Sequence, residues 1–163
     1  MFIFFKILSK LPLSKLYLFS DLINKIFLFK QPYRKKITFN NLNKVFNNKT
    51  KKEIELIYKQ FYNHLTDLIL ETIKLLDIDK KTIKKRIKLL NPEIVNSLDE
   101  NKPTIILSAH YGNWEWLFAS LCVNFKENIY AIYKPLSNKF FNNLILKIRG
   151  KFGGKLISKN KSG

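Results

Sequence analysis

Apolar and polar positions in the first thirty residues recur at helical steps. After Pro12, the residues Leu16, Phe19, Leu22, Ile23, Ile26 and Phe27 share one helical face, while Ser14, Ser20, Asp21, Asn24 and Lys25 gather on the other. The whole stretch Phe2 to Phe29 is rich in Phe, Leu and Ile. Lys6, Lys10, Lys15 and Lys25 nevertheless keep every window short of the ~18 uncharged apolar residues that a spanning helix requires. No small-residue cleavage site follows, so the segment stays in the mature protein. The pattern predicts an amphipathic helix, with Leu16, Phe19, Ile23 and Phe27 as its exposed apolar face. Phe2, Phe4 and Phe5 add aromatic surface that a small core struggles to bury, which favours a membrane interface; a protein core is the other cover for the same stripe.

Thr50-Lys51-Lys52-Glu53 reads as a capping box and opens a helix. Ile54, Ile57, Phe61, Leu65, Leu68, Ile69, Thr72, Leu75 and Leu76 then recur at three- and four-residue steps, which predicts a helix to about Leu76. His64, Asp67 and Glu71 fall on it at matching spacing, a pattern that surface hydrogen bonds explain without a metal. Asp79 caps a short basic helix from Lys80 to Lys88, Asn91-Pro92 ends it, and Glu93 to Leu98 forms a further turn or two. Beyond Pro103, the run Thr104 to Ser108 has strand length and β-branched composition, and Trp114 to Val123 is helical. Ile129 to Tyr133 is a second strand, Phe140 to Phe152 a helix stopped by Gly153-Gly154, and Lys155 to Ser158 a third strand. This order predicts an α/β fold: a helical N-terminal part, then a mainly parallel sheet with crossover helices. The pattern divides the chain into residues 1–30, a membrane-associated amphipathic segment, and 31–163, the helices and strands that follow it.

Composition changes this picture little. The 163 residues are 46% hydrophobic, enough for a core, and Lys+Arg exceed Asp+Glu by 30 to 12, a formal charge of +18. Such an excess suits polyanionic partners. It equally suits an AT-rich codon supply, which also favours the abundant Asn, Ile and Phe. The lysines are spread along the chain, and there is no zinc-finger spacing, RNP-like segment or clear helix-turn-helix, which argues against a nucleic-acid partner. Cys122, the only cysteine, lies in an apolar run and reads as a small core residue.

Chemistry concentrates in His110-Tyr111-Gly112-Asn113-Trp114-Glu115-Trp116. On an unbroken helix, steps of about 100° would leave His110 and Glu115 about 140° apart. They meet only if the backbone turns between them, for which Gly112 supplies the dihedral freedom and Asn113 the N-cap of the next helix. Glu115 then sits in a first helical turn, where the dipole favours its ionised form. A carboxylate that accepts from one imidazole nitrogen fixes the tautomer, so the other nitrogen can take a proton from a hydroxyl. A histidine that merely ends a strand is the simpler alternative.

The string HYGNWEW resembles the catalytic motif of the lipid A biosynthesis acyltransferase family (lauroyl/myristoyl transferases), part of the lysophospholipid acyltransferase superfamily with signature H-x-x-x-x-[DE]. The N-terminal hydrophobic segment, Tyr33-Arg34, Asn41-Leu42, Glu71 to Lys74, Asn91-Pro92, Tyr133-Lys134-Pro135, Asn138, Arg149 and Gly153 are similar to that family's pattern. The resemblance implies that His110 deprotonates a hydroxyl of a lipid acceptor and that Glu115 orients it. The hydroxyl oxygen attacks a thioester, with no covalent enzyme intermediate. By the same resemblance Asn113, Lys134 and Arg149 are candidate substrate-binding residues.

The resemblance also implies location and partners. These are the cytoplasmic face of the inner membrane, anionic membrane lipid, a lipid acceptor (a lipid A precursor, or another glycolipid or aminolipid) and acyl carrier protein or coenzyme A as thioester donor. Neither a metal nor a bound cofactor is implied, the thioester being a co-substrate. The family's pattern continues past the point where only Ser158 to Gly163 remain, so the expected sheet is truncated and the chain alone is expected to be inactive. A non-catalytic membrane-binding fragment is the alternative.

Overall fold

A computed structural model describes residues 1–29, 34–97, 102–125 and 128–161. The Phe27 side chain, Tyr33, Leu98 and the boundary at residue 30, all invoked above, lie outside the described residues. The chain forms two compact units, Met1–Lys74 and Leu75–Gly163.

The first unit is helical: α1 (Phe2–Lys10), α2 (Leu13–Phe29), α3 (Lys35–Val45) and α4 (Lys51–Lys74). Helix α4 is the axis against which the other three pack. It starts where the capping box predicts. The Thr50 N–H donates to Glu53 Oε2 at 2.8 Å, and the Glu53 N–H donates to Thr50 Oγ1 at 3.4 Å. The Thr50 N–H and, at 2.8 Å, the Thr50 hydroxyl both donate to Glu53 Oε2 and hold the Glu53 carboxyl below its usual pKa. Ile54, Tyr58, Tyr62, Leu68, Leu70 and Ile73 form the buried face of α4. Phe39 of α3 stacks on Tyr58 at 4.2 Å between centroids, and Thr38 Oγ1 meets Tyr62 Oη at 3.2 Å.

Helix α2 turns a different face to α4 than the hydrophobic pattern predicts. Leu16 is fully buried, and Ser20 and Asn24 are buried with it, whereas Leu18, Leu22 and Ile26 stand exposed. The physical reason is the size of the side chains at the contact. A stripe of Leu13, Leu16, Ser20 and Asn24 lets helix axes approach closely, and the larger residues beside it stay outside. Leu16 therefore belongs to the core, and the expected exposed face is corrected. Polar tethers fix the arrangement: Tyr17 Oη donates to Glu71 Oε1 at 2.6 Å, and Lys74 Nζ to the Ser9 carbonyl at 2.8 Å.

The second unit contains α5 (Lys80–Arg86), α6 (Pro92–Asn96), α7 (Trp114–Asn124), β1 (Tyr130–Tyr133), α8 (Lys139–Gly150), β2 (Lys155–Ser158) and a 3-10 turn at Lys159–Lys161. Its helix starts follow side-chain caps. Asp79 accepts from the Thr82 N–H at 2.7 Å, Asn113 from Trp116 at 3.1 Å and Asn138 from Phe141 at 3.2 Å. Strands β1 and β2 pair in parallel, with Tyr130 opposite Lys155 and Tyr133 opposite Ser158. Helix α8 lies between them in the chain and packs on β2 and α7. Gly154 must be glycine: a Cβ there would come within 2.6 Å of the Phe118 ring and 2.7 Å of the Arg149 carbonyl. Trp116, Ala119, Leu144 and Ile148 are the buried apolar residues of α7 and α8, and Leu75, Leu76, Ile78 and Ile83 those of residues 75–86.

The fold is thus mixed α/β, mostly helical, with a two-stranded parallel sheet. The strand expected at Thr104 to Ser108 does not form. That stretch has no partner strand among the described residues, and Ile105 and Leu107 are 85% and 92% exposed. β-propensity is a preference for packing on a pleated surface, and here the run meets none.

Candidate active site

The HYGNWEW motif divides at Gly112. Upstream, residues 102–111 are exposed and lack regular structure. Gly112 has φ +59°, in the left-handed region that suits glycine, and its turn delivers the chain to Asn113, the cap of α7. Downstream, Glu115 occupies the first turn of α7 and is 8% exposed.

A buried carboxylate needs a counter-charge, and Arg149 supplies it. Arg149 Nε donates to Glu115 Oε2 at 2.8 Å, and Arg149 Nη2 donates to Oε1 at 2.5 Å. The pair is bidentate, the strong geometry for guanidinium and carboxylate. Both helix dipoles assist it, because the carboxylate is at the N-terminal end of α7 and the guanidinium in the last turn of α8. The hydrogen bond to Glu115 pushes Arg149 above its usual pKa, with burial acting in the opposite sense and Tyr133 adding to the rise.

His110 is differently placed. It is exposed, and its ring lies against Trp114, with centroids 4.7 Å apart and planes inclined by 51°. Among the described residues no hydrogen bond joins it to Glu115. The structure therefore brings Glu115 together with Arg149 and His110 together with Trp114. Of the candidate substrate-binding residues, Asn113 uses its side-chain oxygen as the α7 cap and Arg149 is held by Glu115. Lys134 is exposed in the link between β1 and α8, a link closed by the Leu136 N–H donating to Asn142 Oδ1 at 3.0 Å. Trp114 escaped the sequence reading as a partner of His110. The aromatic that directly follows the capping Asn113 was its signal.

Elsewhere, Glu71 is bonded to Tyr17, and among the described residues no group of three or more His, Cys, Asp or Glu side chains gathers as a metal site. Burial pushes the Cys122 thiol up in pKa, away from the reactive thiolate. No helix among the described residues is long and apolar enough to cross a membrane. The model of the bacterial lipid A biosynthesis acyltransferase family matches residues 1–162. Searches of curated proteins and of solved structures returned no match.

Proposed function

We propose, from the premise that this chain belongs to the bacterial lipid A biosynthesis acyltransferase family, that it moves an acyl group from a thioester to a lipid hydroxyl with His110 as general base. The observation that carries this reading is the Glu115–Arg149 pair, its carboxylate buried and its guanidinium partly so, a few residues along the chain from an accessible imidazole. A charged pair inside a small unit is a weak source of stability, since hydrophobic residues of similar size do as well. Its value here is to keep Glu115 ionised and immobile. Each carboxylate oxygen has a second lone pair, so Glu115 can accept a His110 N–H without releasing Arg149. Rotation about the Gly112 turn is the motion that would bring the ring across.

In the reaction, one imidazole nitrogen takes the acceptor's hydroxyl proton as the hydroxyl oxygen attacks the thioester carbonyl. The new C–O ester bond forms, the C–S bond breaks, and the thiolate leaves with the proton returned by the imidazolium. Glu115 stabilises that imidazolium. Lys134, exposed beside β1, is available to an anionic group of either substrate, and the acceptor is a lipid A precursor or a related glycolipid or aminolipid.

Membrane attachment at the cytoplasmic face of the inner membrane belongs to the same proposal. Its surface is the set of exposed residues Ile3, Phe4 and Ile7 on α1 and Leu18, Leu22 and Ile26 on α2, bordered by Lys6, Lys15 and Lys25. Lysines near anionic lipid contribute roughly 1 kcal/mol each. Co-sedimentation with anionic vesicles should be lost on changing Leu18, Leu22 and Ile26 to Ser. Binding that persists in that variant overturns the anchor.

The catalytic reading is tested with a labelled thioester and a hydroxylated lipid, using the 163-residue chain, the longest reading-frame product containing it, and the His110→Ala form of the more active of the two. The short chain should be slow, because its His110 is not bonded to Glu115. Transfer unchanged by His110→Ala sinks the assignment.

A further inference from the structure

Helix α5 carries a concentration of positive charge that the reaction just described does not use. Within Lys80–Arg86, at about 100° per residue, Lys80, Lys81, Lys84 and Lys85 occupy one arc of about 140°. Lys80, Lys81, Lys84 and Lys85 are all exposed. Among the described residues, none of the four makes a salt bridge, and the Asp79 carboxylate at the start of α5 is engaged as the helix cap. Like charges at these spacings repel and cost the helix a few tenths of a kcal/mol per pair.

The helix is held in place despite that repulsion. Ile83 is fully buried, and α5 packs on α7. Just before α5, Lys151 Nζ donates to the carbonyls of Leu75 at 2.9 Å and of Ile78. The surface is therefore preorganised, which lowers the ordering cost of binding. The helix it rests on is the one whose first turn bears Glu115, and α7 is only about 16 Å long.

We propose that this face of α5 docks an acidic protein surface, that of the carrier which presents the acyl thioester. The inference rests on the acyl-transfer reading for the carrier's role, and on the α5 geometry for its chemistry. A small anion such as the phosphates of coenzyme A binds in a concavity with converging donors, whereas these four lysines diverge from a convex helix. An anionic membrane surface calls for apolar residues among the cations. The apolar residues of α5 and its C-cap point inward, Ile83 fully buried and Ile87 partly so, in contrast with the exposed Leu18, Leu22 and Ile26 of α2.

Equilibrium binding of an acidic acyl carrier protein to the 163-residue chain tests this without requiring turnover. The variants are Lys80→Glu/Lys81→Glu/Lys84→Glu/Lys85→Glu, the same four changed to Gln, and a control reversal of the exposed Lys35, Lys36, Lys51 and Lys52. Circular dichroism checks folding, and the Gln set replaces the Glu set if reversal unfolds the helix. We expect the α5 variants to weaken carrier binding about tenfold or more, to flatten its salt dependence, and to leave binding to anionic vesicles intact. Equal weakening by the control set would reduce the effect to net charge and overturn the site. Loss of vesicle binding with carrier binding kept would reassign the face to lipid, and unchanged carrier binding would end the proposal. Absence of acyl transfer in the separate assay bears on the catalytic reading alone.

Discussion

His110 and Glu115 lie a few residues apart in one motif and in opposite physical situations. Glu115 is buried, fixed by two charge-assisted hydrogen bonds and aligned with two helix ends. His110 ends an exposed segment whose apolar residues meet no sheet, with the Trp114 ring as its neighbour. The boundary between the two is the left-handed turn at Gly112. In the reaction we propose, a base that reaches a lipid hydroxyl and then gives its proton away benefits from access, while a carboxylate that steers it benefits from rigidity. Separating the two by one turn allows both, and it makes the two halves of the motif respond differently to substitution.

The largest expected effect is on catalysis alone. His110→Ala should reduce acyl transfer by ~100 to 10,000-fold, the range for a lost general base. It should leave the unfolding free energy from urea titration within the ~0.5 kcal/mol typical of exposed positions. Comparable losses in both measurements would mean that His110 is structural after all. Next comes the ion pair. Arg149→Met strands a buried carboxylate, and chemical denaturation should report a loss of about 3 kcal/mol. Adding Glu115→Gln to that variant should return much of the stability and none of the activity. If Arg149→Met proves as stable as the parent, the pair does not hold Glu115, and the contrast between the two halves disappears.

A smaller effect is expected at the boundary. Gly112→Ala places a Cβ in the left-handed region, at a cost of about 1–2 kcal/mol, with no clash from neighbours. Activity should fall further than stability, since the turn sets where the imidazole can go. Proportional losses would remove the proposed rotation. Hydrogen exchange sharpens the same comparison: amides of residues 104–108 should exchange within seconds and those of α7 far more slowly. Protection of the upstream segment would mean that it is paired in solution.

The smallest effect lies in the first unit and separates global from local changes. Burial, followed by the neighbouring Tyr62, pushes the Tyr58 hydroxyl up to about 12. A phenol whose folded pKa exceeds the unfolded value of about 10 contributes stability that is complete below pH 10 and is lost as pH rises through 12. Tyr58→Phe should flatten that part of the pH–stability curve without altering transfer. An unchanged slope would mean that lysine titration alone accounts for the alkaline loss.

Features set by neighbouring residues were legible in the sequence. Thr50, Asp79 and Asn113 start helices because a side-chain cap reaches only two or three residues along the chain. The Gly112 turn and the β1–α8–β2 order were equally plain, and the family match over residues 1–162 agrees with the resemblance read from HYGNWEW. Three features depended on contacts between distant positions. Periodicity gave α2 an apolar face, but small Ser20 and Asn24 turned a different stripe to α4 and left Leu18, Leu22 and Ile26 outside. The run Thr104 to Ser108 has strand composition, yet a strand exists only through a partner, and none of the described residues provides one. The motif's spacing points Glu115 to His110, whereas a partner 34 positions away holds both its oxygens. Local preferences act through the backbone within a turn or two. Choosing among possible partners requires the chain to close loops and bury charge, and that is decided only when the whole unit packs.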